Sequence, residues 1–291
     1  MMKRTTGEKI FNVINITILT IIIILSLYPL VYVFSASLSP ARYVRSGAVL
    51  LLPRNITFYS FAEIFGTGEI WWAYVMTMFY TVVGSAVSVI ITIFLAYGLS
   101  KPRLRFRAFL TFVVILSMWF SAGLIPIFVN LLELGLTNPL GLIIGFAMSA
   151  FNMILLRTYF ESIPDSLEEA ATIDGANDLG ILFRIMIPLA VPAIATITLF
   201  YAIERWNGWF WASTILTEPR HMPLQVLLRG FIIDAQRTAE FSMPQFSRGG
   251  LISQETVIYA TIVVSVIPMM LFYPFIQKFF VKGIMVGAVK G

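Results

Sequence analysis

Ionisable side chains are so scarce in this chain that the few acids standing close together carry most of its possible chemistry. Glu168, Glu169 and Asp174 lie in the stretch EEAATIDGANDLGILFRIMIPL, beside Ala170, Ala171 and Gly175. A second group, Glu204, Trp206, Asn207 and Trp209, stands in ERWNGWFW and joins a carboxylate and a carboxamide to two indoles. Neither set is built for catalysis. With one histidine, His221, and no cysteine, the chain has no thiolate nucleophile, disulfide framework or His-based metal site. The nucleophile elbow Gly-x-Ser-x-Gly is missing, and no His/Asp/Glu cluster replaces it. The phosphate cradle Gly-x4-Gly-Lys-Ser/Thr is missing too, so the chain cannot hydrolyse ATP itself.

The first set predicts two short helices around a turn. Pro164 and Asp165-Ser166 form a start signal, with Asp165 or Ser166 free to cap the helix that bears Glu168 to Ala171. Gly175 breaks that helix and permits a tight turn. Ala170, Ala171 and Ala176 keep the tip slim, and a slim helix with acids on its flank suits a groove lined with basic residues. The plain alternative is a solvated loop with capping acids. For the second set, a tryptophan face stacks on the C–H face of a pyranose while nearby polar groups bind hydroxyls. If the segment is one helix, residues 206 and 209 share a face with Glu204 nearby. The alternative there is an aromatic belt at a membrane interface.

The elements that must position these groups follow from composition. Apolar residues make up 58% of the 291 and charged residues 12%, about half the roughly 25% of a soluble domain. Such a chain is solvated by lipid. A crossing helix needs roughly 20 mostly apolar residues, and six stretches qualify, near 11–34, 74–99, 108–132, 140–156, 185–210 and 257–280. The fourth is short, and the fifth is overlong with Pro188 and Pro192 placed to kink it. The first run is too long for the roughly 7–15-residue core of a signal peptide and reads as a retained anchor. With the N-terminus inside, the inner segments hold twelve Lys and Arg and the outer ones seven. The short connection Lys101–Arg107 weighs most in this count. Both termini and the Glu169 loop are therefore expected to be cytoplasmic. Topology accounts for the net charge of +5 without nucleic acid. Among the outer segments, 212–255 is long, and its PLQVLLRGFIIDAQ places Leu224, Leu227, Leu228, Phe231 and Ile232 at helical spacing. This amphipathic piece is expected to lie on the membrane or against a partner. Gly84, Ser85, Ala86, Ser88 and Ala96 give the second span a face for close helix packing.

Glu169-Ala170-Ala171, Gly175, Ile185 and Ile187-Pro188 together resemble the EAA loop of binding-protein-dependent ABC importer permeases, with Ile187 where the pattern has Leu. YPLVYVFSASLS (Tyr28–Ser39), WNGWF (Trp206–Phe210), PLQVLLR (Pro223–Arg229) and YPFIQKFFVKGIMVGAVKG (Tyr273–Gly291) are similar to carbohydrate-uptake permeases, in the branch that works with lipoprotein sugar-binding proteins. The resemblance implies an all-α, type I ABC importer transmembrane domain in a bacterial cell membrane. It spans 1–291, with a core of about 74–281 around the loop 161–188 and a first helix and outer loop in 1–73. It further implies that Glu168, Glu169, Ala170, Ala171, Asp174 and Gly175 form a coupling helix against a cytoplasmic ATPase. The partners implied are a second, related permease, two ATPase subunits that hold ATP and Mg, and an extracellular or lipoprotein binding protein. The cargo implied is an oligosaccharide or polysaccharide fragment. In such permeases the tail reaches the ATPase and the last outer loop probes the binding protein. An ion-coupled secondary transporter is the competing class. It requires buried carboxylates on discontinuous helices, and Glu204 alone offers one.

Overall fold

The computed structural model describes residues 5–66, 68–241 and 252–288, with the side chains of residues 6, 234–241 and 272–288 left aside. Its regular elements are helices. In order these are α1 (Thr6–Ser37), α2 (Ala41–Arg45), α3 (Tyr59–Gly66), α4 (Gly68–Ser100), α5 (Arg107–Trp119), α6 (Leu124–Glu133), α7 (Pro139–Ile144) and α8 (Ala150–Glu161). There follow α9 (Asp165–Ile173), α10 (Asp178–Ile181), a π-turn (Leu182–Met186), α11 (Ile187–Leu189), α12 (Val191–Asn207), α13 (Phe210–Ile215), α14 (Leu224–Phe241) and α15 (Gln254–Ala288).

Three of these, α1, α4 and α15, are long and apolar enough to cross a membrane. The pair Asp178–Leu189 and Val191–Asn207 makes a fourth span if its 82° bend is counted as one path. Two expected spans are interrupted. The stretch 108–132 is divided between α5 and α6 around Phe120–Gly123, where Gly123 takes φ +83°. The stretch 140–156 is divided between α7 and α8 around Gly145–Ser149, and the Ser149 hydroxyl caps α8 at the amide of Asn152. The fifth bends at Ala190, between Pro188 and Pro192. Pro188 has no N–H, and its ring would clash with the carbonyl of Arg184 in a regular helix. The π-turn Leu182–Met186 widens the ladder at that point.

The chain forms two compact units. One is Met1–Ile70 with Leu228–Pro268. Within it Ala36, Val44 and Val49 make a small core with Tyr32, Tyr43 and Tyr259 packed on it. Arg45 pairs with Glu255 at 3.4 Å, joining α2 to the start of α15.

The other unit is Trp71–Leu227 with Met269–Gly291. Its main core sets Ile93, Ala96 and Tyr97 of α4 against Met153, Leu156 and Phe160 of α8, Leu182 and Met186 of the π-turn, and Ala193 and Ile197 of α12. In lipid such a core is held by van der Waals contact, because burying it releases little water. The segment leading into α14 is fastened to α4 by side chains. Thr77 accepts the Leu224 amide at 2.8 Å, Tyr80 donates to the carbonyl of His221 at 2.9 Å, and Trp72 donates to that of Arg220. The amphipathic piece is helical as expected, with Leu224 and Leu228 buried.

Candidate functional site

The loop between α8 and the bent segment is a helix, a turn and a second helix. Pro164 occupies the N-cap of α9 without a side-chain cap. The cap expected from Asp165 or Ser166 is therefore not made. Asp165 and Glu168 lie in the first turn instead, where a negative charge still meets the positive end of the helix dipole. The C-terminus is a Schellman turn. Gly175 takes φ +82°, its N–H donates to Thr172 O at 3.0 Å, and the Ala176 N–H reaches back to Ala171 O at 2.9 Å. Ala171 and Ala176 pack on the main core. Asn177 then caps α10, accepting from the Gly180 amide at 2.8 Å.

The acids divide between an inner and an outer side. Glu168 pairs with Lys101, their side chains 22% and 11% exposed, and the Lys101 ammonium lies 4.4 Å from the centre of the Tyr97 ring. Burial pushes Lys101 down to about 8, with Arg103 acting the same way and Asp165 and Asp178 opposing. Arg103 pairs with Asp178, whose carbonyl accepts from the Tyr97 hydroxyl at 3.2 Å. Arg107 and Arg157 both reach Glu161. The connection 101–107 thus holds the loop from within. Facing out are Glu169, Ala170, Asp174 and Gly175, all exposed. Ile173 is 87% exposed, with Leu167 and Leu179 exposed beside it. Sequence reasoning weighed the acids and overlooked Ile173, although an isoleucine between a threonine and an aspartate at a loop tip is itself a signal. A slim tip with an apolar end and two free acids can enter a groove and exclude water there.

The second set is not brought together. Helix α12 ends at Asn207, with Gly208 at its C-cap, so Trp206 and Trp209 do not share one helical face as expected. Trp206 is 3% exposed and meets Tyr74 edge-on at 5.9 Å between ring centres. Trp209 is half-buried and meets Phe210 edge-on at 5.4 Å. Glu204 and Asn207 are exposed. Between them lies Arg205, which sequence reasoning counted neither among the topology charges nor among the site residues. Its guanidinium reaches the carbonyls of Leu142, Ile143 and Phe146 and the Ser88 hydroxyl. A Cβ on Gly84 would stand 3.3 Å from its Nε. The small residues Gly84 and Ser88 therefore make room for an arginine side chain. Asn138 caps α7 through the amides of Leu140 and Gly141.

Comparison with known proteins gives consistent matches. The family described as binding-protein-dependent transport system inner membrane component matches residues 88–286. The polygalacturonan/rhamnogalacturonan transport system permease YtcP of Bacillus subtilis (strain 168) is 40% identical over 98% of this chain and 99% of its own length. Protein LplC of the same organism is 33% identical over 100% of this chain and 98% of its own. Among solved structures, a chain of a bacterial ABC transporter involved in the import of the acidic polysaccharide alginate superposes with a TM-score of 0.87 at 44% identity. That match covers 96% of this chain and 100% of that one.

Proposed function

The chain belongs to the binding-protein-dependent transport system inner membrane component family, and on that premise we propose that it admits oligosaccharides or polysaccharide fragments through a bacterial cell membrane. In this reading residues 1–291 form one transmembrane domain that crosses six times, counting the interrupted segments as spans, with both termini cytoplasmic. It pairs with a second permease of the same kind. An extracellular or lipoprotein binding protein delivers the sugar, and two ATPase subunits supply the work, holding ATP and Mg themselves. The residues 168–175 dock on the ATPase, with Glu169, Ile173 and Asp174 at the contact and Glu168 held back by Lys101. One observation carries the proposal: a short, outward-facing helix ends in a glycine turn, braced by ion pairs from within and bare on its outer side. A secondary transporter would need a buried carboxylate, and among the described residues none is buried.

The test is reconstitution of the complex in liposomes with its binding protein, comparing oligogalacturonides, alginate oligosaccharides and a neutral oligosaccharide. Uptake and ATPase stimulation are expected for a sugar fragment, and Glu169→Lys is expected to abolish the stimulation. A complex that binds no ATPase, or one whose ATPase rate ignores the loaded binding protein, would refute the reading. The chain has no native cysteine, so single cysteines at Ile173 and Phe58 test orientation directly. Ile173 is expected to be labelled from the cytoplasmic side and Phe58 from the outer side.

A further inference from the structure

Helix α7 ends at Ile144 and α8 begins at Ala150. A helix end leaves carbonyls without partners and a helix start leaves amides without them. In hydrocarbon no water satisfies these groups, so broken backbone there has to find its partners within the protein. Two side chains of α12, one helical turn apart, supply them. Arg205 donates to the carbonyl of Leu142, to that of Ile143 at 3.4 Å and to that of Phe146 at 2.5 Å. The Tyr201 hydroxyl accepts the Ser149 amide at 3.0 Å and pairs with the Thr92 hydroxyl at 2.7 Å. Tyr201 is 1% exposed. The first side chain closes the end of α7 and the second closes the start of α8. The guanidinium reaches these carbonyls from two separate nitrogens held in a planar fork, whereas a lysine ammonium donates from a single point, so lysine is not its equivalent.

This clamp lies between the two helices that flank the 165–175 loop. Helix α8 runs directly into that loop, and α12 follows it beyond the bend at Ala190. The two share one core through Met153, Leu156, Ala193 and Ile197. All of these residues belong to the unit built on Trp71–Leu227.

We propose that Arg205 and Tyr201 are positioning residues for transport: they fasten the interrupted α7–α8 backbone to α12, so that motion received at the loop moves the break as a rigid piece. Without them the last turn of α7 unwinds and absorbs the motion. The proposal rests on the importer reading given above.

The test uses the full complex in lipid nanodiscs with spin labels on cysteines at Met148 and Thr172, both exposed. The Met148–Thr172 distance is expected to be narrow and the same with and without ATP and vanadate. In Arg205→Met it is expected to widen by about 5 Å, one helical turn, and to become nucleotide-dependent. Tyr201→Phe is expected to act in the same direction more weakly, and Arg205→Lys to narrow the distribution part-way. Stimulation of the ATPase by the binding protein is expected to fall about tenfold in Arg205→Met, within the usual range of coupling between sites. If Arg205→Met fails to assemble, Arg205→Lys and Tyr201→Phe decide the matter. A distribution in these variants as narrow as in the wild type, with stimulation per assembled complex unchanged, overturns the proposal. The distance needs no sugar, so failure of the wild-type complex to bind ATPase counts against the importer reading instead.

Discussion

Substituting Gly175 separates backbone conformation from bulk, because a Cβ added there meets nothing within 4 Å. The opposition to a side chain is then conformational, arising from φ +82°. An L-residue pays about 1–2 kcal/mol in the left-handed region, and a β-branched one more. Asparagine, which adopts this cap in other helices, costs less. If the turn opens, the two closing hydrogen bonds at 3.0 and 2.9 Å are lost as well, at about 1 kcal/mol each. Gly175→Ala is therefore expected to shift the equilibrium from the docking-competent to the open loop by about 5- to 30-fold. Apparent affinity for the ATPase falls in proportion to the docking-competent fraction that remains. Titrating purified ATPase against the permease heterodimer in nanodiscs measures this, with stimulated ATPase activity as a second readout. The expected order of affinity is Gly, Asn, Ala, Val. Wild-type affinity in Gly175→Val, or an asparagine variant weaker than valine, refutes the argument that the turn's handedness presents the loop.

Lys101 titrates near pH 8, so the charge that holds Glu168 is lost as pH rises from 7 to 9. ATPase affinity is expected to fall over that range in the wild type and to hold in Lys101→Arg; parallel pH profiles would exclude the pair as a brace. Deleting Lys282–Gly291 removes the end of α15 together with 289–291, which lie outside the described residues. Membrane insertion should persist while ATPase co-purification drops, and wild-type co-purification would make the tail a solvated end. Trp206→Ala empties a buried site and should cost about 3–5 kcal/mol, read as lost complex yield. Asn207→Ala and Trp209→Ala should keep the yield, and a fall in their uptake beyond yield places those residues on the sugar path.

The long continuous helices were legible because an unbroken apolar run has one solution in lipid. α1, α4 and α15 contain the predicted stretches 11–34, 74–99 and 257–280. The breaks at 120–123 and 145–149 were not, since apolar composition is the same on both sides of a break. The local marks were Gly123, Gly145 and the capping Ser149, and each also occurs inside ordinary membrane helices. The Gly175 turn was legible from one residue type. The cap of α9 was misread because proline, fixed near the required φ, had already started the helix. The hold of α4 on the segment before α14 joins residues 141 to 148 apart in sequence, and no local pattern encodes it. Arg205 stood in plain view, but three of its partners are backbone carbonyls, which have no sequence signature.

In the proposed reading the connection 101–107 serves both orientation and docking. Its Lys101, Arg103 and Arg107 meet Glu168, Asp178 and Glu161, while Arg105 lies over the Phe106 ring at 5.2 Å. The positive charges that predict an inner position for this connection also neutralise the inward acids around the loop that follows α8. Exposed pairs of this kind contribute only about 0–1 kcal/mol each, and Arg103–Asp178 is one of them, with side chains 63% and 59% exposed. Their effect is geometric. Six acids between Glu161 and Asp178 would otherwise repel one another and leave α9 free to rotate. With three of them bound inward and Asp165 close enough to act on Lys101, Glu169 and Asp174 form an acidic outer side around Ile173. If the loop docks as proposed, a basic groove is expected to meet it in one orientation. Neutralising Arg105 tests the topology signal alone, whereas neutralising Lys101 disturbs topology and docking together.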